Sequence, residues 1–250
     1  MNIIAAIPAR WASTRFEGKV LADLNGKPMI QHVWEQAKKA NLLDDVFILC
    51  DDERVFDAAQ GFGANVLMTS TGHASGTDRI AKALRHASAK IVVNIQGDEP
   101  LIDPQVIDAL AQGLVDDKDA SMATVVKLLE SREDLDNPNV VKVVVDQNKN
   151  ALYFSRSPIP FNRDKKDFSE VICYKHLGLY AYRKEFLDVW KDLPESILEQ
   201  TEKLEQLRVL EAGYKIKTVL TEHETIGVDS PEDLERVAQL VKREKDAENN

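Results

Sequence analysis

Apolar runs and amphipathic stretches alternate along the first hundred residues. Ile3-Ile4-Ala5-Ala6-Ile7, bounded by Pro8, has the length and continuity of a strand buried on both faces. Lys27 to Ala40 then places Met29, Ile30, Val33, Trp34 and Ala37 on one helical face, with Pro28 near its start. His32 falls off that stripe and reads as a surface histidine. Val46 to Cys50 is a second buried strand, Asp52 to Phe62 a second helix closed by Gly63, and Asn65 to Met68 a third, short strand. A helix burying Ile80, Ala83 and Leu84 follows, with Thr77 as its N-cap, and Lys90 to Gln96 is the clearest central strand. Strands and helices joined by short connections predict an α/β fold with a doubly wound, mostly parallel sheet.

From about Met122 the period becomes that of strands. Met122–Leu128, Val140–Val145 and Ala151–Ser155 are β-rich, the last two joined by a hairpin-like turn over Asp146–Asn150. Two prolines in Ser155–Pro160 rule out a long element, and the charged stretch to Glu170 reads as a mobile surface loop. Tyr174–Tyr182 is another strand, and helices are expected over Lys184–Leu193 and roughly Leu198–Glu211. In the second of these Leu204, Leu207 and Leu210 form the buried stripe, so Glu205 and Gln206 read as solvated. A strand over Lys215–Leu220 precedes a last helix with Ser230 as N-cap, Pro231 at its first position and Asp233 closing a capping box. The polar tail Lys242–Asn250 is expected to fray. The whole reads as one 250-residue domain with a strand-rich excursion over about residues 122–183.

A formal net charge of -10 opposes any broad nucleic-acid or membrane surface, since such binding draws on a field of Lys and Arg over a whole face. An anion site must therefore be built by local placement. Cys50 and Cys173 show no metal-ligand spacing and read as reduced thiols. Neither a signal peptide nor a membrane span is supported, and a cytoplasmic protein is the default expectation.

Candidate chemistry gathers at the carboxyl ends of the predicted strands, the edge where open α/β sheets bind ligands. Arg10, Arg15 and Lys19 follow the first strand within one loop that also holds Ser13 and Gly18; such a loop suits a triphosphate, or is simply a solvated basic loop. The glycine- and hydroxyl-rich loop Thr69–Arg79, with Ser75 and Arg79, can approach a nucleotide base or ribose, or be only a capped turn. Gly97-Asp98-Glu99-Pro100 leaves the central strand. Asp98 there suits Mg²⁺ shared with substrate phosphates, while Glu99 reads as an acidic turn. Asp229 precedes the last helix cap and is unexplained by it, so it is available to the same metal. In the excursion Arg156 can grip a substrate carboxylate and His176 can bond sugar hydroxyls; a hairpin-end ion pair and an ordinary strand histidine are the plain alternatives. No P-loop, dinucleotide glycine pattern or G-x-S-x-G elbow occurs.

Taken together, these motifs resemble the CMP-Kdo synthetases, or 3-deoxy-manno-octulosonate cytidylyltransferases, within the sugar nucleotidyltransferase superfamily, whose fold is nucleotidyltransferase-like (GT-A-like). The resemblance rests on Ile7-Pro-Ala-Arg10, Ser13-Thr-Arg15, Gly18-Lys19, Asn25-Gly-Lys-Pro-Met-Ile30, Ser75-Gly-Thr-Asp-Arg79 and Val93-Asn-Ile-Gln-Gly-Asp-Glu-Pro100. It continues through Ala151-Leu-Tyr-Phe-Ser-Arg156, Lys175-His-Leu-Gly178, Leu204-Glu-Gln-Leu-Arg208 and Gly227-Val-Asp229. It implies that Arg10, Ser13, Arg15 and Lys19 bind the CTP triphosphate, that Ser75 to Arg79 lie near the cytidine, and that Asp98 and Asp229 hold Mg²⁺. It further implies that Gln96, Arg156, His176, Glu205 and Gln206 surround the sugar acid, and that a homodimer forms largely through the excursion. The activity implied is transfer of CMP to a Kdo-type acid for lipopolysaccharide biosynthesis, with Lys19, Arg10, Asp98 and Asp229 catalytic. The alternatives are the same chemistry on 8-amino-Kdo or a sialic-type acid, and a non-catalytic CTP-binding paralogue. The chain departs from the family pattern at Arg15-Phe-Glu-Gly-Lys-Val-Leu21, where two prolines are usual, and at Leu49-Cys-Asp51.

Overall fold

The structure is a computed structural model describing residues 2–13, 16–164 and 167–248, without the side chains of Ser169 and residues 244–248. The chain divides into two compact units, residues 1–108 with 225–250 and residues 109–224. The excursion expected over 122–183 lies within the second.

The first unit opens with β1 (Ile3–Ala9), a 3-10 turn at Lys19–Leu21, the short pair β2 (Asp23–Leu24) and β3 (Lys27–Pro28), then α1 (Met29–Ala37) and β4 (Asp45–Cys50). It continues with α2 (Glu53–Gly61), β5 (Asn65–Met68), α3 (Gly76–Ala83), β6 (Ile91–Asn94) and α4 (Pro104–Asp116), within which the unit boundary falls. Its sheet runs β6-β1-β4-β5, all parallel, as the alternating pattern predicts. β1 extends past the expected stop at Pro8, because its ladder with β6 ends at Ala6 while that with β4 continues to Ala9. Ile7, Ile30, Ile48, Leu49, Ile80 and Ile91 are fully buried, each burial contributing about 1.5–3 kcal/mol.

Two local expectations are corrected here. His32 is buried, not on the surface, and its Nε2 bonds the Leu24 carbonyl at 2.7 Å, so it ties α1 to the β2–β3 turn. The N-cap of α3 is Ser75 rather than Thr77: its hydroxyl accepts the Asp78 N–H, and Thr77 is buried inside the helix.

The second unit comprises β7 (Met122–Leu128), α5 (Arg132–Asp136), β8 (Lys142–Val145), β9 (Ala151–Ser155), a 3-10 turn at Phe168–Glu170, β10 (Tyr174–Arg183), α6 (Lys184–Trp190), α7 (Ile197–Glu202), α8 (Gln206–Glu211) and β11 (Ile216–Leu220). β7 pairs β10 antiparallel and β11 in parallel, while β8 joins β9 to β10 through antiparallel ladders. The helix expected over Leu198–Glu211 is broken in two. Lys203 adopts φ 56° and ends α7, and no glycine or proline marks the break. Gln206 is buried rather than solvated, because α8 starts after that break and turns a different face inward.

The chain then returns to the first unit as α9 (Pro231–Glu248), a helix that continues through most of the expected polar tail. Val237 and Val241 of α9 pack with Leu24, Met29 and Val228 in one buried cluster. Among the described residues no helix is long and apolar enough to cross a membrane.

Candidate active site

Lys19, Asp98 and Asp229 lie far apart in sequence and meet in the first unit. β6 ends at Asn94, and the segment behind it packs so closely against β1 that a Cβ at Gly97 would lie 2.8 Å from the Pro8 carbonyl oxygen. Glycine is therefore required where the chain presents Asp98. The Val228 N–H donates to the Asp98 carbonyl at 2.9 Å, which draws the segment before α9 alongside. Asp233 accepts the N–H groups of Asp229 and Ser230 together with the Ser230 hydroxyl, and so fixes the backbone of Asp229. Gly18, at φ 67°, turns the chain into the 3-10 turn that carries Lys19. The Lys19 ammonium donates to Asp98 Oδ2 at 2.6 Å, to Asp229 Oδ1 at 3.1 Å and to the Val228 carbonyl at 3.0 Å.

Two carboxylates around one ammonium leave a negative excess, and their oxygens already surround a single cation-sized point. Hard carboxylate donors match Mg²⁺, which takes one or two carboxylates and completes its shell with water and substrate phosphate. No cluster of three or more His, Cys, Asp or Glu side chains able to hold a metal occurs among the described residues. The pair thus fits a metal shared with a phosphate ligand and does not form a self-contained cage.

Around this cluster is a cleft of about 370 Å³ lined by Arg10, Ser13, Lys19, Ser75, Arg79, Gln96, Asp98 and Asp229. All are residues singled out in the sequence; Arg15 lies outside the described residues. Arg10 is exposed at the edge. Arg79 is buried, and its guanidinium donates to Asp51 Oδ2 at 2.7 Å and to the Thr69 hydroxyl. It therefore braces the loop between β5 and α3 against the end of β4. The Ser75 hydroxyl is engaged as the α3 cap.

Sequence reasoning passed over His73, which also lines the cleft with its side chain almost wholly buried. Its Nδ1 bonds Asp78 Oδ2 at 2.8 Å; the sole sequence signal was a histidine five residues before an aspartate in the glycine-rich loop. Glu99, read as an acidic turn, is buried with Oε2 unpartnered among the described residues. Burial, with the adjacent Asp98 carboxylate, pushes its carboxyl up to about 8, so it is neutral at pH 7.

The remaining singled-out residues belong to the second unit. Three guanidinium N–H groups of Arg156 donate to backbone carbonyls, those of Glu202 (2.7 Å), Pro138 (3.0 Å) and Lys203 (3.4 Å), so it clamps the end of α7. His176 packs between Phe154 and Tyr180, at ring-centroid distances of 5.0 and 5.4 Å. Its Nε2 lies 2.9 Å from the Thr124 hydroxyl, which donates to the Leu179 carbonyl at 2.8 Å. Both bonds are satisfied when Nε2 carries the proton, which leaves Nδ1 a lone pair to accept from a ligand hydroxyl. Burial lowers the His176 pKa to about 3 and keeps the ring neutral. Tyr180 donates to Gln206 Oε1 at 3.3 Å, and Gln206 Nε2 is buried without a partner among the described residues. Glu205 precedes it as the N-cap of α8. A neutral imidazole, an amide and a phenol in one aromatic setting suit a hydroxyl-rich ligand.

A family profile described as cytidylyltransferase matches residues 4–217. The 3-deoxy-manno-octulosonate cytidylyltransferase of Geobacter sulfurreducens is 51% identical over 250 residues, covering 97% of this chain and 100% of the relative. The protein of the same name from Solibacter usitatus is 52% identical over 241 residues, covering 96% and 95%. A solved structure of CMP:2-keto-3-deoxy-manno-octonic acid synthetase complexed with CTP superposes with a TM-score of 0.93 at 43% identity, over 98% of this chain and 100% of that one. A cytidylyltransferase structure from Leptospira borgpetersenii, TM-score 0.66 at 16% identity over 97% and 87%, shares the fold.

Proposed function

This chain belongs to the cytidylyltransferase family, and from that premise we propose that it joins CTP to 3-deoxy-manno-octulosonate (Kdo), giving CMP-Kdo and pyrophosphate for lipopolysaccharide biosynthesis. The observation that carries this reading is the meeting of Lys19 with Asp98 and Asp229 in a cleft edged by Arg10 and Ser13. The anomeric hydroxyl oxygen of the sugar acid bonds to the α-phosphorus, the bond to the bridging oxygen breaks, and pyrophosphate leaves with that electron pair while the hydroxyl proton passes to solvent.

The protein's work in this reaction is positioning and offsetting charge. Arg10, Ser13, Arg15 and Lys19 bind the triphosphate, with Lys19 transferring hydrogen bonds from the two carboxylates to phosphate oxygen. Ser75 and Arg79 shape the loop beside the cytidine. Held by Asp98 and Asp229, Mg²⁺ would offset phosphate charge and lower the pKa of the attacking hydroxyl. Gln96, His176, Glu205 and Gln206 receive the sugar acid, the His176 Nδ1 lone pair accepting from a hydroxyl, and Arg156 holds the end of α7, beyond which Glu205 and Gln206 open α8.

In this reading the enzyme works in the cytoplasm as a homodimer. Leu152, Phe161 and Ile172 of the excursion are exposed apolar side chains that a second copy would cover.

The deciding experiment measures CTP-dependent pyrophosphate release with Kdo, 8-amino-Kdo and a sialic-type acid, each with and without Mg²⁺. Turnover strongest with Kdo and dependent on Mg²⁺ is expected. Release with none of the acids, or a marked preference for another one, would overturn the assignment.

A further inference from the structure

Glu17 sets a carboxylate inside a loop that otherwise collects cations, and the structure gives that charge a partner. Glu17 Oε1 accepts the Trp11 indole N–H at 2.9 Å. The same indole packs against Gly18, where a Cβ would come within 2.6 Å of its ring. The Trp11 carbonyl accepts the Gly18 N–H at 3.0 Å, so the two ends of the loop are joined by backbone as well. Over the ring, 3.5 Å from its centroid, stands the guanidinium of Arg54. Arg54 in turn donates to both carboxylate oxygens of Asp52, at 2.8 and 2.7 Å, and Asp52 is the N-cap of α2. The Trp11 backbone N–H donates to Asp51 Oδ1 at 3.0 Å.

These contacts connect the loop to the frame of the sheet at two points. Trp11 follows Arg10 and Gly18 precedes Lys19, so fixing Trp11 against Gly18 fixes the separation of the two cations that line the cleft. The indole supplies the flat surface, the arginine holds its face by cation–π attraction, and the carboxylate orients its edge by a charge-assisted hydrogen bond. We propose that Trp11, Glu17 and Arg54 form a clasp that sets the spacing of Arg10 and Lys19 for a polyphosphate, making Glu17 a positioning residue for the nucleotide. The clasp rests on the proposed cytidylyltransfer for the identity of that nucleotide. It does the work of a rigid loop by tertiary contact, at a place where the sequence carries no proline.

The test compares Glu17→Ala, Glu17→Gln and Trp11→Phe with the unaltered protein, by steady-state kinetics and by calorimetric titration with CTP and with inorganic tripolyphosphate. Removing the acceptor or the indole N–H should raise the KM for CTP and weaken tripolyphosphate binding about five- to tenfold. kcat, the KM for the sugar acid and the melting temperature should stay close to those of the unaltered protein. Glu17→Gln, whose amide oxygen still accepts from the indole, should stay within twofold throughout. Unchanged nucleotide KM and tripolyphosphate affinity in Glu17→Ala and Trp11→Phe would overturn the clasp, as would equal impairment by Gln and Ala at position 17. If the unaltered protein binds tripolyphosphate without turning CTP over, the proposed activity fails and the titrations still judge the clasp; if it binds no polyphosphate, both fail.

Discussion

The Lys19 ammonium places all three of its donors on Asp98, Asp229 and the Val228 carbonyl, so each acid helps hold the lysine in addition to the metal role proposed for it. Asp98→Asn keeps the size of the side chain and removes the charge. Because Asp98 is partly exposed and its backbone is fixed independently through Val228, the variant should retain its circular dichroism and melting temperature while pyrophosphate release falls by about 10²–10³-fold. Near-normal release would remove Asp98 from the chemistry. His176 permits a second prediction, because burial lowers its pKa to about 3 from an ordinary value near 6.5. Between those values the unfolded chain binds a proton that the native state does not, so stability is fully present above about pH 6.5 and is lost as pH falls toward 3. His176→Gln should therefore flatten the acid limb of denaturant-derived stability over that range and leave the profile above pH 7 unchanged in slope. These site residues were legible in sequence to different degrees. Asp98 and Asp229 stood out as carboxylates at a strand end and before a helix cap, but nothing local could show that Lys19 would bond both. His32 and Gln206 were misjudged because their burial goes with partners outside their own helices, a carbonyl eight residues away and a phenol on β10.

At the level of elements, the strands were the most legible, since an apolar run buried on both faces has few other uses. Helix interiors were also clear, and helix ends were not. Ser75 and Thr77 are both capping residues two positions apart, and only the direction of the following turn selects Ser75. The break between α7 and α8 left no trace, because the leucine spacing carries across it and the residue that turns left-handed is a lysine. The break is held from outside. Arg156 binds the carbonyls at the end of α7, and Ser196 with Glu199 forms a capping box at its start, where Glu199 also grips Arg208 of α8 at 2.6 and 2.7 Å. A left-handed non-glycine residue costs about 1–2 kcal/mol, part of which glycine would lose again through its freedom in the unfolded chain. Lys203→Gly should thus raise stability by about 0.5 kcal/mol in urea titration with an unchanged m-value; a loss of stability would mean that the lysine side chain itself secures the break.

On the scale of the whole molecule, the exposed apolar side chains of the excursion carry the prediction. Phe161 is 87% exposed, and Leu152 and Ile172 are also open. A homodimer of about 56 kDa, twice the 28.1 kDa chain, is expected in sedimentation equilibrium, and Phe161→Glu should shift it toward the single-chain mass. A monomer at micromolar concentration in the unaltered protein would end the dimer proposal. The family and the parallel, alternating build of the first unit were legible before any coordinates, because motifs and apolar runs are local; the strand order β6-β1-β4-β5 was not. The division at residue 108, with residues 225–250 returning to the first unit, was not, because it depends on where α9 packs. That return has a bearing on biosynthesis. Lys19 and Asp98 leave the ribosome early, whereas Asp229 and the helix that seats it are translated long afterwards. A nascent chain thus carries the lysine and one acid without their companion, and the proposed chemistry becomes available only after Asp229 and α9 have been made.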